Sequence, residues 1–430
     1  MLSKEQRDRI AALVHREVVP AIGCTEPVAV ALCVAKATEM LGKMPEKILV
    51  RLSANILKNA MGVGIPGTGM IGLPIAIALG AIVGKSEYGL EVLRDVTPEA
   101  VALGRRYIDE GRIEVKLFPD APSNLHIEVS AVADLDMTRA VISEEHTNFV
   151  YLAVNDNVVF SKESNGNQGD SAANTDDDIR LDLKMVYEYA TESPLDEIDF
   201  ILEARRLNKA AARVALEGDY GHALGLTIRN CGMKYFGDTP LEHMISYTSA
   251  ACDARMGGAT VPVMSNSGSG NQGITATMPV VSFAEDTGAT EEQTARALML
   301  SHLTSIYIKQ SLGRLSALCG CVVASTGAAS GLVYLMGGDF SRVSAAVKNM
   351  VANLAGMICD GAKPSCSMKI SSGVSTAMMS AMLAMNGKCV TKTEGIVSDD
   401  VDATIHNLTS IGREAMRETD RLVLHIMTNK

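Results

Sequence analysis

The stretches LHIEVSAVA (residues 125–133) and FVYLAVNDNVVFS (residues 149–161) decide how this chain is read. Both are short, rich in Val and Ile, and partly alternating, the pattern of strands with one buried face. In the second, the turn-formers Asn155, Asp156 and Asn157 separate two apolar runs, which predicts a hairpin. Working outward, ILVRLS (48–53) and IEVKLF (113–118) carry the same signal, so the strand region extends from Lys47 to about Lys162. Before it, Ile10, Leu13 and Val14 recur at helical spacing, and a second helical segment begins after Gly23. Behind it, Ser161–Asp178 is polar and rich in Gly, Asn and Asp, a linker by composition. Beyond Ile179 the chain reads helical almost to its end, with a capping box at Thr290–Gln293. The expectation is an α+β protein in three parts. These are an N-terminal helical segment (1–45) that contributes Cys24 to the active site, a mixed α+β domain (46–165), and a larger, mainly α-helical domain (179–430) around a buried Gly/Ser/Cys-rich site.

The 430 residues include 39 Lys and Arg against 50 Asp and Glu, a formal charge of −11, which argues against nucleic acid or an anionic membrane as partner. Ten Tyr, seven Phe and no Trp leave few platforms for stacking single-stranded bases. Four stretches carry no charge: Ala60–Gly84, Gly257–Ala284, Leu315–Gly338 and Ile370–Gly387. Some are long enough to cross a membrane, but the first holds seven glycines and two prolines and the second is studded with Ser, Thr, Asn and Gln. They read instead as buried backbone lining a polar pocket. The first twenty residues contain no apolar signal region, and the nine cysteines are odd in number, so a reducing cytoplasm is the expected compartment.

Several motifs fail on inspection. GAIVGKS (80–86) is one residue short of a phosphate-binding loop between its glycines. The pattern GxGxxG starts at Gly62, Gly67 and Gly268. A nicotinamide-dependent oxidoreductase is the reading it offers, provided a strand leads in and a helix leads out. Isolated histidines such as His222 and His302 read as satisfied surface or core residues. The cysteines say more. Cys319-Gly-Cys321 and Cys359…Cys366 stand at Gly/Pro-containing spacings that suit soft thiolate ligands, or else small core hydrophobes. Alternate residues point in different directions, so one of Cys319 and Cys321 faces a shared site. Cys24 precedes a helix start, where exposed N–H groups favour the thiolate; it is a candidate base or nucleophile, or a buried structural residue. Cys33 reads as core, and Cys231, Cys252 and Cys389 have no motif around them.

GCTEPVAVALC (23–33), NILKNAMGVGIPGTG (55–69), SNSGSGNQGITATMPV (265–280), LCGCVVASTGAASG (318–331) and CDGAKPSCSMKISSG (359–373) together resemble the L-cysteine desulfidase family. That family is related to the α-chain-like domain of iron–sulfur L-serine dehydratases. The resemblance runs from about residue 20 to residue 390 and implies a [4Fe-4S] cluster held by three cysteines with one iron open. Carried over by motif, the ligands are Cys319, Cys359 and Cys366, with Cys321 the competitor of Cys319, and Cys24 is the active-site cysteine. The implied reaction is β-elimination of L-cysteine to sulfide, ammonia and pyruvate without pyridoxal phosphate, or of L-serine at the same cluster. Cys24 as thiolate would take the α-proton. Asn55, Lys58 and Asn59 share one helical face and are candidates to clamp the substrate carboxylate, or form a solvated face. Ser267, Asn271 and Gln272 are candidates for its other polar groups, or form a plain turn. Related dehydratases can close the open iron with a cysteine at the chain end; RLVLHIMTNK (421–430) has none, so another occupant is expected. The expected partners are a small amino-acid substrate and a second copy of the chain in a homodimer.

Overall fold

In the computed structural model, which describes residues 2–155, 157–162, 179–313 and 316–429, two helices precede the first long strand. Helix α1 (Lys4–Glu17) opens with a capping box between Ser3 and Gln6 and buries the predicted stripe of Ile10, Leu13 and Val14. A two-residue strand β1 (Pro20–Ala21) leads to α2 (Thr25–Leu41), whose N-cap is Cys24. Then come β2 (Lys47–Leu52), α3 (Ala54–Ala60), the short hairpin of β3 (Gly64–Ile65) and β4 (Met70–Ile71), and helices α4 (Leu73–Ile82) and α5 (Pro98–Asp109). Strands β5 (Ile113–Leu117), β6 (His126–Ala133), β7 (Asp136–Ser143), β8 (Phe149–Val154) and β9 (Asn157–Ser161) complete this part.

Six of these strands form one mixed sheet in the order β5-β2-β6-β7-β8-β9; β2 and β5 run parallel and the other neighbours antiparallel. Ile48, Val50 and Leu52 of β2, Ile127, Val129 and Ala131 of β6, and Ala140 and Ile142 of β7 turn one face into a core shared with α2 and α4. On the opposite face Arg51 pairs with Glu128 at 3.0 Å, directly across the β2–β6 register, and Arg139 of β7 closes on the same carboxylate. The predicted hairpin is β8–β9, with Asn155 at φ 51; Asp156 lies outside the described residues. Strand β7 escaped the sequence reading because DMTRAVIS is polar through its first half and only Ala140, Val141 and Ile142 form an apolar run. Residues 163–178 of the polar stretch also lie outside the described residues.

The remainder is helical: α6 (Leu183–Glu192), α7 (Leu202–Leu216), α8 (Leu224–Tyr235), α9 (Pro240–Met256), a two-residue strand β10 (Val263–Met264), α10 (Gly270–Thr287), α11 (Glu291–Leu312), α12 (Gly320–Leu335), α13 (Phe340–Leu354), α14 (Cys366–Met385), α15 (Val401–Ser410) and α16 (Arg417–Thr428). The architecture is α+β. Thr290 and Gln293 form the predicted capping box of α11. Helix α12 is surrounded by α10, α11, α13 and α14 and buries every residue from Cys321 to Val333. That enclosure explains why this stretch and the similarly buried α10 carry no charge over those spans. Among the described residues no helix is long and apolar enough to cross a membrane. The glycine fingerprints at 62–72 and 268–273 fall on the β3–β4 hairpin and on the first turn of α10. Neither is entered from a strand of the six-stranded sheet, so the frame a dinucleotide fingerprint requires is missing.

Candidate active site

Strands β1 and β10 pair antiparallel, Pro20 with Met264 and Ala21 with Val263. This pairing sets the turn before α2 beside the glycine-rich turn before α10. Ser265 and Ser267 extend it, donating their backbone N–H groups to Val19 and Glu17 carbonyls, each at 2.9 Å. Gly273 lies so close to the Met264 carbonyl that a Cβ would stand 1.9 Å from its oxygen, which explains a glycine here.

On the α2 side, Cys24 is buried and donates its thiol to Glu26 Oε2 at 2.9 Å. Thr25 Oγ1 donates to the same oxygen at 3.2 Å, and Asn59 Nδ2 of α3 donates to Oε1 at 3.1 Å. Burial alone would raise the Glu26 pKa, but the charge of His146 and the Cys24 hydrogen bond outweigh it and hold the carboxyl below its usual range. For Cys24 the balance goes the other way. Burial, then the Glu26 charge, push the thiol well up, with Arg255 only partly opposing them. The thiolate expected from the helix N-terminus is therefore not the resting form: desolvation exceeds the pull of the first-turn N–H groups.

Helix α3 carries the three residues of the predicted polar face, but they have different surroundings. Asn59 holds Glu26, the buried Lys58 ammonium pairs with Asp420 of α16, and Asn55 is half-buried one turn earlier. On the α10 side, Ser267 has a left-handed backbone (φ 49) and donates to Asn266 Oδ1 at 2.9 Å. Asn266 Nδ2 reaches His302 at 3.1 Å, and His302 Nε2 lies 2.9 Å from Thr277 Oγ1. Burial lowers the His302 pKa to about 3, so this histidine is a neutral strut beneath the loop, the satisfied core residue that its isolation in the sequence implied. Asn271 Oδ1 accepts from Arg255 at 3.0 Å. The Gln272 side chain lies against Gly320, next to Cys319, and its buried Oε1 has no hydrogen-bond partner.

Beyond Gln272 are the cysteines. Leu318 and Ile358 form an isolated bridge in which Cys319 N–H donates to Met357 O at 3.0 Å and Cys359 N–H to Ala317 O at 2.7 Å. That ladder brings the Cys319 and Cys359 thiols into a shared hydrogen bond. It pulls Cys359 below the ordinary thiol range against the opposing effect of burial, with help from the Lys58 charge, the Gly361 N–H and Lys369. Cys366 opens α14 and lies within electrostatic reach of Cys359. Cys321, two residues past Cys319, turns away and donates to the Lys369 carbonyl at 3.1 Å, and burial pushes it up to about 12. Cys252 of α9, for which the sequence offered no role, is buried near Cys366 and Cys321. Cys33 is core, and Cys231 and Cys389 are exposed.

The donor set of Cys319, Cys359 and Cys366 fits a soft, thiolate-bound metal group. Cys319 caps α12 and Cys366 begins α14, where helix N–H groups favour negative charge, but the Cys359 hydrogen bond and burial push Cys319 up and burial pushes Cys366 up. Lys58 and Lys369 place ammonium charge around Cys359. Sequence reasoning missed Arg255, Asp420 and His146. The signal for the first was available: Asp253 and Arg255 are the only charged residues in the last ten positions of α9, YTSAACDARM (247–256).

Residues 87–425 match the family model described as serine dehydratase alpha chain. Cys24 and α3 precede the matched residues. A UPF0597 protein of Phocaeicola vulgatus is 61% identical over 432 aligned positions, covering 100% of this chain and 99% of the relative. One of Bacteroides fragilis is 60% identical over the whole of both chains, and one of Photobacterium profundum is 46% identical over 97% of each. With more than half its length matched and relatives aligned from end to end, the chain belongs to the serine dehydratase alpha chain family.

Proposed function

We propose that this chain is an iron–sulfur lyase that eliminates the β-substituent of a free L-α-amino acid, with L-cysteine as substrate and sulfide, pyruvate and ammonia as products. The observation that supports the reading is the grouping of Cys319, Cys359 and Cys366, linked to the Cys24–Glu26 turn through Gln272, Asn271 and Arg255 of the α9–α10 segment. Cys319, Cys359 and Cys366 would hold a [4Fe-4S] cluster, and the iron left without a protein thiolate would supply a Lewis acid for the leaving thiol.

The chain's own residues handle the protons. Glu26 is an ionised carboxylate within hydrogen-bond distance of the Cys24 thiol. As Cys24 Sγ takes the α-proton, its own proton passes to Glu26 Oε2, so the net transfer is from substrate carbon to a carboxylate. The Cα electron pair forms the Cα–Cβ double bond as the C–S bond breaks and hydrosulfide departs. The aminoacrylate so formed tautomerises to an imine, which water hydrolyses to pyruvate and ammonia. Asn59 and Thr25 orient Glu26, and the Asn266–His302–Thr277 chain supports the turn bearing Ser267, Asn271 and Gln272, the groups proposed for the substrate's polar atoms.

A second reading, L-serine dehydratase, is favoured by the name of the family model and uses the same residues with water as the leaving group. The test is anaerobic. The full chain is reconstituted with iron and sulfide, bound iron is quantified, and pyruvate and newly released sulfide are assayed from L-cysteine beside L-serine. Iron binding and cysteine turnover, both abolished in Cys359→Ala, are the expected result. Turnover of serine alone moves the substrate to serine, and absence of both iron binding and turnover refutes the lyase reading.

A further inference from the structure

A free amino acid brings a carboxylate, and the cations in reach of the site differ in how they are engaged. Lys58 is paired with Asp420 and Lys369 with Asp360, while Lys363 donates to the Lys58 and Asp360 carbonyls beside the Asp360 charge. Arg255 differs. It stands in the last turn of α9, 5% exposed, between the two turns that frame the site. One terminal nitrogen donates to the Gly23 carbonyl and the other to Asn271 Oδ1, each at 3.0 Å. Both acceptors are neutral, and the buried Nε–H has no partner. The oxygens of Glu26, an acid in electrostatic reach of Arg255, are taken up by Cys24, Thr25 and Asn59. A guanidinium has five donors, so three of them, including Nε–H, are left over.

Such a buried cation is costly unless an anion joins it. The loop opposite leaves room for it: a Cβ at Gly270 would stand 2.2 Å from Arg255 Nε, so only glycine lets the Arg255 side chain pack against the first turn of α10. Two residues on, Gln272 Oε1 is a buried acceptor without a donor. One unmatched cationic donor group and one unmatched acceptor, carried on adjoining segments, are complementary to the carboxylate and the ammonium of a zwitterion.

We propose that Arg255 binds the α-carboxylate of the substrate, with Gln272 accepting from its α-ammonium group, so that the site selects free α-amino acids over amides, esters and peptides. The assignment rests on the amino-acid reading given above and adds the groups that recognise the substrate's backbone.

The probe is L-alanine, which has both backbone groups and no leaving group, compared with L-alaninamide, which lacks the carboxylate. Each is titrated calorimetrically into the full chain after anaerobic reconstitution. The wild-type chain is expected to bind L-alanine about 10- to 100-fold more tightly than the amide. Arg255→Met is expected to erase that preference at unchanged iron content and to raise KM for the substrate more than it lowers kcat, with partial recovery in Arg255→Lys. Equal affinity for alanine and its amide in the wild type, or undiminished alanine affinity in Arg255→Met, overturns the assignment. The wild-type comparison needs no variant and stands even where Arg255→Met does not fold. Alanine binding that depends on Arg255 without any pyruvate from cysteine or serine would refute the elimination reading and leave the carboxylate subsite standing. Turnover with Arg255-independent alanine binding would do the reverse.

Discussion

Removing the charge of Asp420 should loosen the C-terminal helix selectively. Lys58 is 3% exposed and Asp420 22%, so Asp420→Asn leaves a buried ammonium facing a neutral amide. Breaking a buried pair from one side costs about 3–5 kcal/mol. Asp420 is partly solvated, which points to the lower end, about 3 kcal/mol. Helix α16 otherwise buries only Leu424 and Met427, each contributing about 1.5–3 kcal/mol. The lost pairing is thus comparable to either apolar anchor. If α16 opens as a local unit, about 3 kcal/mol makes its open state about 100-fold more populated. Hydrogen exchange followed by mass spectrometry reads this directly: α16 amides should exchange about 100-fold faster in Asp420→Asn, while those of the enclosed α12 keep their rates. The double variant Lys58→Met/Asp420→Leu, which removes both charges, should return most of the protection. Exchange in Asp420→Asn within threefold of wild type, or a double variant as open as the single, would show that the uncompensated Lys58 charge is not what holds the helix.

Three other outcomes are expected. His302→Phe removes one hydrogen bond from each of Asn266 and Thr277, which keep the His302 and Gly273 carbonyls, and should lower stability by about 1–3 kcal/mol, read as a fall in thermal midpoint that His302→Gln restores in part. His243 has burial lowering its pKa, but its hydrogen bonds to Asp286 and Asp238 outweigh this and raise it overall. Its charge therefore contributes stability that is complete below the unfolded-state pKa of about 6.5 and lost as pH rises through the higher folded value; a pH series of melting midpoints should show that loss, and His243→Gln should flatten it. Cys24, protonated and buried, should alkylate with iodoacetamide far more slowly than exposed Cys231 at pH 7.5, by peptide mass spectrometry; equal rates would contradict the raised thiol.

The strands were legible because a sheet with one buried face writes its period into the sequence; β7 was not, since in its first half a polar residue, Thr138, takes the buried position and an apolar one, Met137, the exposed one. The three cysteines expected as ligands were drawn from resemblance and spacing, and only the Leu318–Ile358 bridge explains why Cys319, rather than Cys321, meets Cys359. The helical face of Asn55, Lys58 and Asn59 was read from its period, but their partners, Glu26 and Asp420, lie 33 and 362 residues away. Cys24 shows the limit most clearly. A helix N-terminus is visible in a sequence, whereas the desolvation that reverses its effect depends on segments that meet only in three dimensions.

The pairing of β1 with β10 is a two-residue ladder, extended by the Ser265–Val19 and Ser267–Glu17 backbone hydrogen bonds, that joins segments about positions 20 and 264. So short a ladder gains little enthalpy for the very long loop it closes, and forming it early in folding would be entropically uphill. The seam is therefore expected to close late, after the sheet and the helical bundle have each consolidated. The groups proposed for proton transfer, Cys24 and Glu26, and those proposed for recognition, on α9 and α10, come from opposite sides of that seam. A chain caught before closure would own every chemical part of the centre and none of its proximity, so recovery of activity during refolding should lag behind recovery of helical signal.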